Sequence, residues 1–444
     1  MQGAESTLSG WGRYPIAHCR EQRGEDLEAI TAGVVLTRGL GRSYGDASLP
    51  AAGTHIVAAS PLADRFLAFD PETGIVRAEA GLSLQQLNDW SLPRGWFTPV
   101  TPGTQFVTLG GMVAADVHGK NHHVDGCFGE HVAALRMRVA DGRIIECSDA
   151  HEAALFRATI GGMGLTGHIL EVQFRLRKIP SPWLWVESER LPHIDRLVEA
   201  VKQSSAAWPF TACWMDGLSR GAGLGRGIVL RGRWAEPSEA PPKLPPKKLT
   251  IAVPFTLPNW ALSVPAVTAF NALIYWRHGA RMRREVAHPA TFFYPLDVIH
   301  EWNRVYGRRG FTQYQCVLPT SGTDGCAQRF LEIMHRHGGM PFLCVVKDCG
   351  AEGKGMLSFP KPGITLALDF PMDGERTQRL VDALNEAVIA AGGRIYLAKD
   401  ALTRPEHFRA MEPRLDAWNA VRRQWDPTGR FRSAQSVRVL GDPP

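Results

Sequence analysis

The stretch Pro102-Gly103-Thr104-Gln105-Phe106-Val107-Thr108-Leu109-Gly110-Gly111 sets the reading of this chain. Gly110 and Gly111 stand directly before Met112, Val113, Ala114 and Ala115, which marks a helix start built from small residues. Backbone without side chains lets a flat or anionic ligand lie against the N–H groups of a helix start. The run continues through Asp116-Val117-His118-Gly119-Lys120-Asn121-His122-His123. Gly119 and Asn121 interrupt a regular helix, so His118 and His122 are not placed on one helical face. The cluster therefore reads as a metal site or as cofactor lining. No HExxH motif accompanies it, and no metal is assigned.

Working outward, two more glycine-rich segments flank this one. The first is Arg38-Gly39-Leu40-Gly41-Arg42-Ser43-Tyr44-Gly45-Asp46. Its glycines can turn N–H groups toward one point and form an anion nest, with Arg38 or Arg42 adding charge. It is neither a Rossmann fingerprint nor a P-loop, because the glycine spacing is wrong and no Gly-Lys-Ser/Thr follows. The second is Gly161-Gly162-Met163-Gly164-Leu165-Thr166-Gly167, too rich in glycine for the interior of a helix or strand. Three such walls before residue 170 favour one large cofactor over several small sites.

Around these walls the first 180 residues read as mixed α and β. Residues 75–80 form a strand, and Ser83-Leu84-Gln85-Gln86 matches a capping box that opens a helix. Residues 135–140 and 143–147 flank an Asp141-Gly142 hairpin turn. Leu170, Val172, Phe174 and Leu176 alternate with polar residues, as on a strand with one buried face. Pro180 and Pro182 mark a domain boundary.

Composition bounds the answer from the other side. A chain of 444 residues with 44% hydrophobic and 21% charged residues is a globular protein of about two domains. A net charge of +6 is too thin over this length for a nucleic-acid binder. The eight cysteines are scattered without a CxxC and read as reduced thiols. No leader peptide and no apolar run of spanning length is present, which points to a cytoplasmic protein or one peripheral to the inner membrane.

The second half holds the candidate chemistry. Residues 237–258 carry seven prolines with Lys243, Lys247 and Lys248, and read as a mobile loop. Tyr275 and Trp276 lie beside Arg277, Arg281, Arg283 and Arg284. Two units of helix, Gly-Gly and strand follow, with the glycine pairs at Gly338-Gly339 and Gly392-Gly393. Each strand is read as ending in Lys-Asp, at Lys347-Asp348 and Lys399-Asp400. A lysine at a strand end can bind an anionic substrate, or lose its proton readily when enclosed; a surface ion pair with the adjacent Asp is the plainer alternative. Gln313 and Gln315 share one strand face, where a polyhydroxylated substrate would supply hydrogen-bond partners. Leu415, Trp418, Val421 and Trp425 mark a C-terminal docking helix stopped by Asp426-Pro427.

Taken together, residues 38–46, 102–123 and 161–167 resemble the FAD-binding domain of the vanillyl-alcohol-oxidase-like flavoproteins. Residues 118–123, Glu301-Trp302-Asn303-Arg304, Gln313-Tyr314-Gln315, Ser358-Phe359-Pro360, Ala398-Lys399-Asp400 and the Asp426-Pro427 tail narrow the match. Over residues 11–440 the chain is similar to the family of oxidase subunits of decaprenylphosphoryl-β-D-ribose 2′-epimerases. The resemblance implies an α+β, two-domain FAD-binding fold of the vanillyl-alcohol-oxidase type. Residues 1–180 would form the FAD-binding domain and residues 181–393 an antiparallel-sheet substrate domain. Residues 394–444 would complete the FAD-binding domain.

The resemblance also assigns residues. Arg38, Gly39, Leu40, Gly41, Arg42, Ser43, Tyr44 and Gly45 would hold the FAD diphosphate. Pro102, Gly103, Thr104, Thr108, Gly110, Gly111 and Ala114 would line the flavin and adenosine parts. Gly119, Asn121, Gly162, Gly164 and Gly167 join them, as do His118 and Lys399 beside the flavin ring. Lys399, His118 and Gln315 are the catalytic candidates. Tyr44, Lys120, Trp214, Gln313 and Lys347 are the substrate-binding candidates. The implied reaction is oxidation of the 2′-hydroxyl of a polyprenylphosphoryl-β-D-ribose to a ketone, with hydride passing to flavin N5. An NADH-dependent reductase partner would complete the epimerisation. The alternative is a soluble FAD-dependent sugar alcohol or aldonolactone oxidase.

Two positions depart from relatives of this type. Where related sugar oxidases carry a His bonded to the flavin after Gly-x-Gly, this chain has Arg42, so the FAD is expected to be non-covalent. Where some members carry a pocket Cys that thiol-trapping inhibitors capture, this chain has Ala367. The basic, proline-rich stretch and the nearby arginines suggest peripheral membrane contact, a solvated loop being the alternative.

Overall fold

The computed structural model describes residues 4–52, 56–246, 249–320 and 324–443. The alternating segments of the N-terminal part build an antiparallel sheet in the order Phe66–Phe69, Ile75–Glu79, His168–Arg175, Val132–Arg138, Ile144–Ser148. Val76, Ala78, Leu135, Met137, Val172 and Phe174 are its buried face, as period-two patterning requires. A second, smaller sheet of Ala4–Ser9, Ile16–Arg23, Ile56–Ala59 and Thr37–Arg38 mixes antiparallel and parallel pairs. It ends where the first glycine-rich loop begins. The capping box is present: Ser83 Oγ accepts from Gln86 N, and the Gln86 side chain returns to Ser83 N.

The rest of the chain forms an eight-stranded antiparallel sheet. Its order is Arg283–Ala287, Leu184–Leu191, Gly227–Trp234, Phe210–Met215, Cys344–Cys349, Gly363–Pro371, Phe311–Leu318, Arg394–Ile395. Helices Ile194–Ser205, Cys326–Arg336 and Glu375–Ala390 cover one face through Leu197, Leu331 and Leu384, all fully buried. The opposite face is left for the cavity. Gly338 and Gly392 end two of these helices at φ +74° and +66°, the left-handed position that a C-cap glycine fills.

Two expectations need correction. Lys347 lies inside the strand Cys344–Cys349, opposite Thr365, and does not end it. Lys399 follows a strand of two residues, Arg394–Ile395, and sits in a turn whose N–H returns to the Tyr396 carbonyl. Arg394–Ile395 also pairs with Phe311–Leu318 of the large sheet, so the C-terminal segment begins there before its helices cross over. In the Leu415–Trp425 helix, Trp418 is fully buried and its Nε1–H donates to the Ala158 carbonyl at 2.9 Å. Arg438 reaches Asp46 in the glycine-rich loop at 2.7 Å. The tail thus ties both halves together.

The proline-rich stretch is tethered where it is described. The Trp183 indole N–H donates to the Lys243 carbonyl, and Ile251–Ala252 pairs in parallel with Ile299–His300. Lys247 and Lys248 lie outside the described residues.

Candidate active site

The uncovered face of the large sheet and the glycine-rich loops enclose a cavity of about 650 Å³. That is the size of a cofactor or drug-sized ligand site. One wall is Gly39, Leu40, Gly41, Arg42, Ser43 and Tyr44. A second runs through Pro102, Gly103, Thr104, Thr108, Gly110, Gly111 and Ala114. Gly164 and Gly167 add a third.

Local chemistry explains these walls. Thr108 caps the Leu109–Ala114 helix by accepting from Gly111 N at 3.2 Å. Gly39 packs on that cap: a Cβ there would stand 2.4 Å from Thr108 Oγ1. Gly110 lies against Ala80, with its N–H on the Ala80 carbonyl. At Gly103 and Gly164 a Cβ would meet no atom of the described residues within 4 Å. Both line the cavity, so they form a cradle whose open side accepts a ligand in place of side chains. Arg42 lies over Trp11, its guanidinium carbon 4.1 Å from the ring centre, and holds a cation at this end. These features fit FAD.

Four expected cofactor residues do not line the cavity. Arg38 turns away and donates to the Ser9 and Ser48 carbonyls and to Ser48 Oγ. Its charge is spent on holding the loop. Gly45 packs against Asp400, where a Cβ would come within 2.0 Å of the carbonyl oxygen. Asn121 is buried, donating to the Pro99 carbonyl and Asp125. Gly162 faces the Ala158 carbonyl and Trp418. All four shape the walls from behind.

At the sheet end, Gln313, Gln315, Val345, Lys347, Ala367 and Trp214 face the cavity from four adjacent strands. Register explains the grouping: Gln315 stands opposite Ala367, Ala367 opposite Val345, and Val345 opposite Trp214. His118, Lys120 and Lys399 enter from the loops. The loop carrying His118 is pinned by Tyr396, whose hydroxyl donates to the Ala115 carbonyl at 2.8 Å, and by Ser358, which donates to Asp116. Burial raises the Asp116 carboxyl to about 6.

The two glutamine amides find protein partners. Gln313 Nε2 donates to Asp369, and Gln315 Nε2 donates to His118 Nε2 and Thr365 Oγ1. Burial, reinforced by Lys347, His122 and Lys399, pushes the His118 imidazole well below its ordinary value. The ring is neutral. With Nε2 accepting, the proton sits on Nδ1, which is buried and has no partner among the described residues.

Desolvation also loosens the lysine protons. Lys120 falls to about 7 and Lys347 to about 8; for Lys120 the second cause is the Lys347 charge. Lys399 is likewise lowered by desolvation, against the pull of Asp369. Its ammonium lies 3.9 Å from the centre of the Tyr44 ring. Among the described residues Lys120 Nζ has one acceptor, the Phe293 carbonyl at 3.3 Å.

Sequence reading missed Asp369, Tyr306 and Trp11. Asp369 is fully buried and bonded to Gln313 and to the Tyr306 hydroxyl at 3.0 Å. Its signal was there: a lone carboxylate in the apolar run Ile364-Thr365-Leu366-Ala367-Leu368-Asp369-Phe370. Nothing local marks Tyr306 or Trp11. His122 accepts from Gly350 N, and burial lowers its imidazole to about 4, so the ring is neutral above that pH. Among the described residues no group of three His, Cys, Asp or Glu side chains could hold a metal ion.

Comparison with known proteins agrees with this geometry. A family model described as an FAD binding domain matches residues 31–148. One described as D-arabinono-1,4-lactone oxidase matches residues 364–439. The chain is 35% identical over 450 residues to decaprenylphosphoryl-β-D-ribose oxidase of Mycolicibacterium smegmatis, covering 97% of each chain. It is 33% identical over 378 residues to an uncharacterised protein of Streptomyces coelicolor, covering 81% of this chain and 100% of that one. A putative D-arabinono-1,4-lactone oxidase of Neurospora crassa is 30% identical over 112 residues, 25% of this chain and 20% of that one. The glycine cradle, the enclosed lysines and this end-to-end similarity lead to one assignment: the chain is an FAD-dependent oxidoreductase with an α+β fold, and it belongs to the decaprenylphosphoryl-β-D-ribose oxidase family.

Proposed function

We propose that the enzyme oxidises the 2′-hydroxyl of a polyprenylphosphoryl-β-D-ribose to the 2′-keto sugar. The observation that carries this reading is Lys399, an enclosed amine with a lowered proton affinity that faces the cavity beside Tyr44. A neutral lysine there takes the hydroxyl proton as the alcohol is oxidised. FAD, when bound, supplies the acceptor for the electron pair of the C2′–H bond. His118 lines the sugar subsite, and Gln315, donating to its Nε2, keeps the ring in one tautomer. Lys120 and Lys347 are the cations for the phosphate. Gln313, held by Asp369, and Trp214 shape the ribose subsite.

The rest of the assignment belongs to the same proposal. The fold is of the vanillyl-alcohol-oxidase type, with an FAD-binding domain of residues 1–180 completed by the tail and a substrate domain between. The FAD is non-covalent, because Arg42 occupies the attachment position. An NADH-dependent reductase completes a ribose-to-arabinose epimerisation, and a lipid-linked substrate brings the enzyme to a membrane.

The test is anaerobic mixing of the holoenzyme with polyprenylphosphoryl-ribose while flavin absorbance is followed. Bleaching by the lipid-linked sugar, with free sugars and aldonolactones inert, is the expected result. Bleaching by an aldonolactone instead establishes the alternative, which only the shorter match over residues 364–439 supports.

A further inference from the structure

We propose that the Val264–Arg277 helix and the segment before it form a docking face for an anionic bilayer, placed so that a lipid substrate passes from the membrane into the cavity. This rests on the lipid-linked substrate proposed above.

The helix carries no charged residue from Val264 to Trp276. A helix apolar all round is normally buried. This one is not: only Val267, Asn271 and Tyr275 are buried, while Leu273 and Trp276 are 62% and 60% exposed. The preceding segment continues the surface, with Phe255 at 63% and Trp260 at 75%. Contiguous exposed apolar side chains of this kind mark an interaction site.

Two observations name the occupant. The first is charge. Arg277, Arg281 and Arg283 follow the apolar face, are exposed, and have no ion pair among the described residues. Arg283 lies against the Arg277 carbonyl, so these cations cluster at one end of the face. Exposed Leu273 and Trp276 beside these unpaired arginines offer apolar side chains to the acyl boundary and cations to anionic headgroups. A second copy of this chain would bring the same arginines against each other across a twofold axis, which opposes a dimer here. The second is continuity. Phe270 and Ile274 of the same helix line the cavity, so one side meets the site while the other meets the surroundings. A polyprenyl tail leaving the sugar subsite along Phe270 enters the bilayer without crossing water. The sequence points to residues 237–258 and the arginines at 277–284 for this contact; the structure adds the exposed apolar helix that lies between them.

The test uses the holoenzyme, its Leu273→Glu/Trp276→Glu variant and its Arg277→Glu/Arg281→Glu variant. Each is sedimented with phosphatidylglycerol-containing vesicles and with pure phosphatidylcholine vesicles. Flavin absorbance reports the fold. The wild type is expected to bind the anionic vesicles, and each variant to lose at least tenfold in partitioning while keeping its flavin. Turnover of a short-chain, water-soluble polyprenylphosphoryl-ribose should stay within twofold. Equal binding of wild type and variants, or no binding by the wild type, overturns the proposal. So does a wild-type dimer that the Leu273→Glu/Trp276→Glu variant dissociates. If that variant loses its flavin, the arginine variant decides alone. Failure of the substrate reading shows separately, as no flavin bleaching by the wild type with the short-chain substrate.

Discussion

Gln315 Nε2 donates to His118 Nε2 across 2.9 Å, joining residues 197 positions apart and two walls of one cavity. The bond decides which imidazole nitrogen keeps its proton. Replacing Gln315 with Leu leaves His118 Nε2 and Thr365 Oγ1 without this donor. An orphaned buried polar group costs about 1–3 kcal/mol. Chemical denaturation of the holoenzyme should show a loss of that order, and turnover should fall because the ring is free to change tautomer.

Lys399→Met should lower turnover by about 10²–10⁴-fold, the usual contribution of a positioned base, with flavin content retained. Single-turnover flavin bleaching measures this.

The pH dependence has a definite sign. The neutral amine is the active form, so the rate rises with pH as Lys399 loses its proton. Desolvation places that rise below the ordinary lysine range, while the Asp369 carboxylate pushes it back up. Asp369→Asn should therefore move the ascending limb toward acid. A profile unchanged in Asp369→Asn contradicts the assignment.

Substrate binding should weaken in the opposite direction. Lys120 at about 7 and Lys347 at about 8 bind phosphate as cations, so each loses its hold as pH rises through its own value. KM should rise between pH 7 and 9, and Lys347→Gln should flatten that rise. Steady-state assays of both proteins over this range test the point.

Ala367 stands in the cavity opposite Gln315 and Val345. The wild type should resist thiol-trapping inhibitors that react with a pocket cysteine, and Ala367→Cys should gain a covalent adduct visible by intact mass. The same spectra should show that the wild-type chain carries no flavin after acid precipitation.

How much was legible follows from range. The glycine walls, the capping box, the Asp141-Gly142 hairpin and the shared face of Gln313 and Gln315 depend on residues within a few positions of one another. The sequence could therefore state them, because local backbone freedom and period-two alternation are local properties. Its errors were of another kind. Arg38 was read as a cofactor cation because charge is visible in a sequence, whereas the carbonyls of Ser9 and Ser48 that claim it are not. Lys347 was read at a strand end because where pairing stops is decided by the neighbouring strand. The sequence by itself determined the glycine walls and the residue types of the site, and through its resemblance the cofactor class. Only the tertiary structure brought Asp369, Gln313, Tyr44 and Lys399 into one enclosed space, lowered the proton affinity of the lysines and fixed the His118 tautomer. Desolvation and hydrogen-bond pairing arise between segments hundreds of residues apart, and no local pattern encodes them.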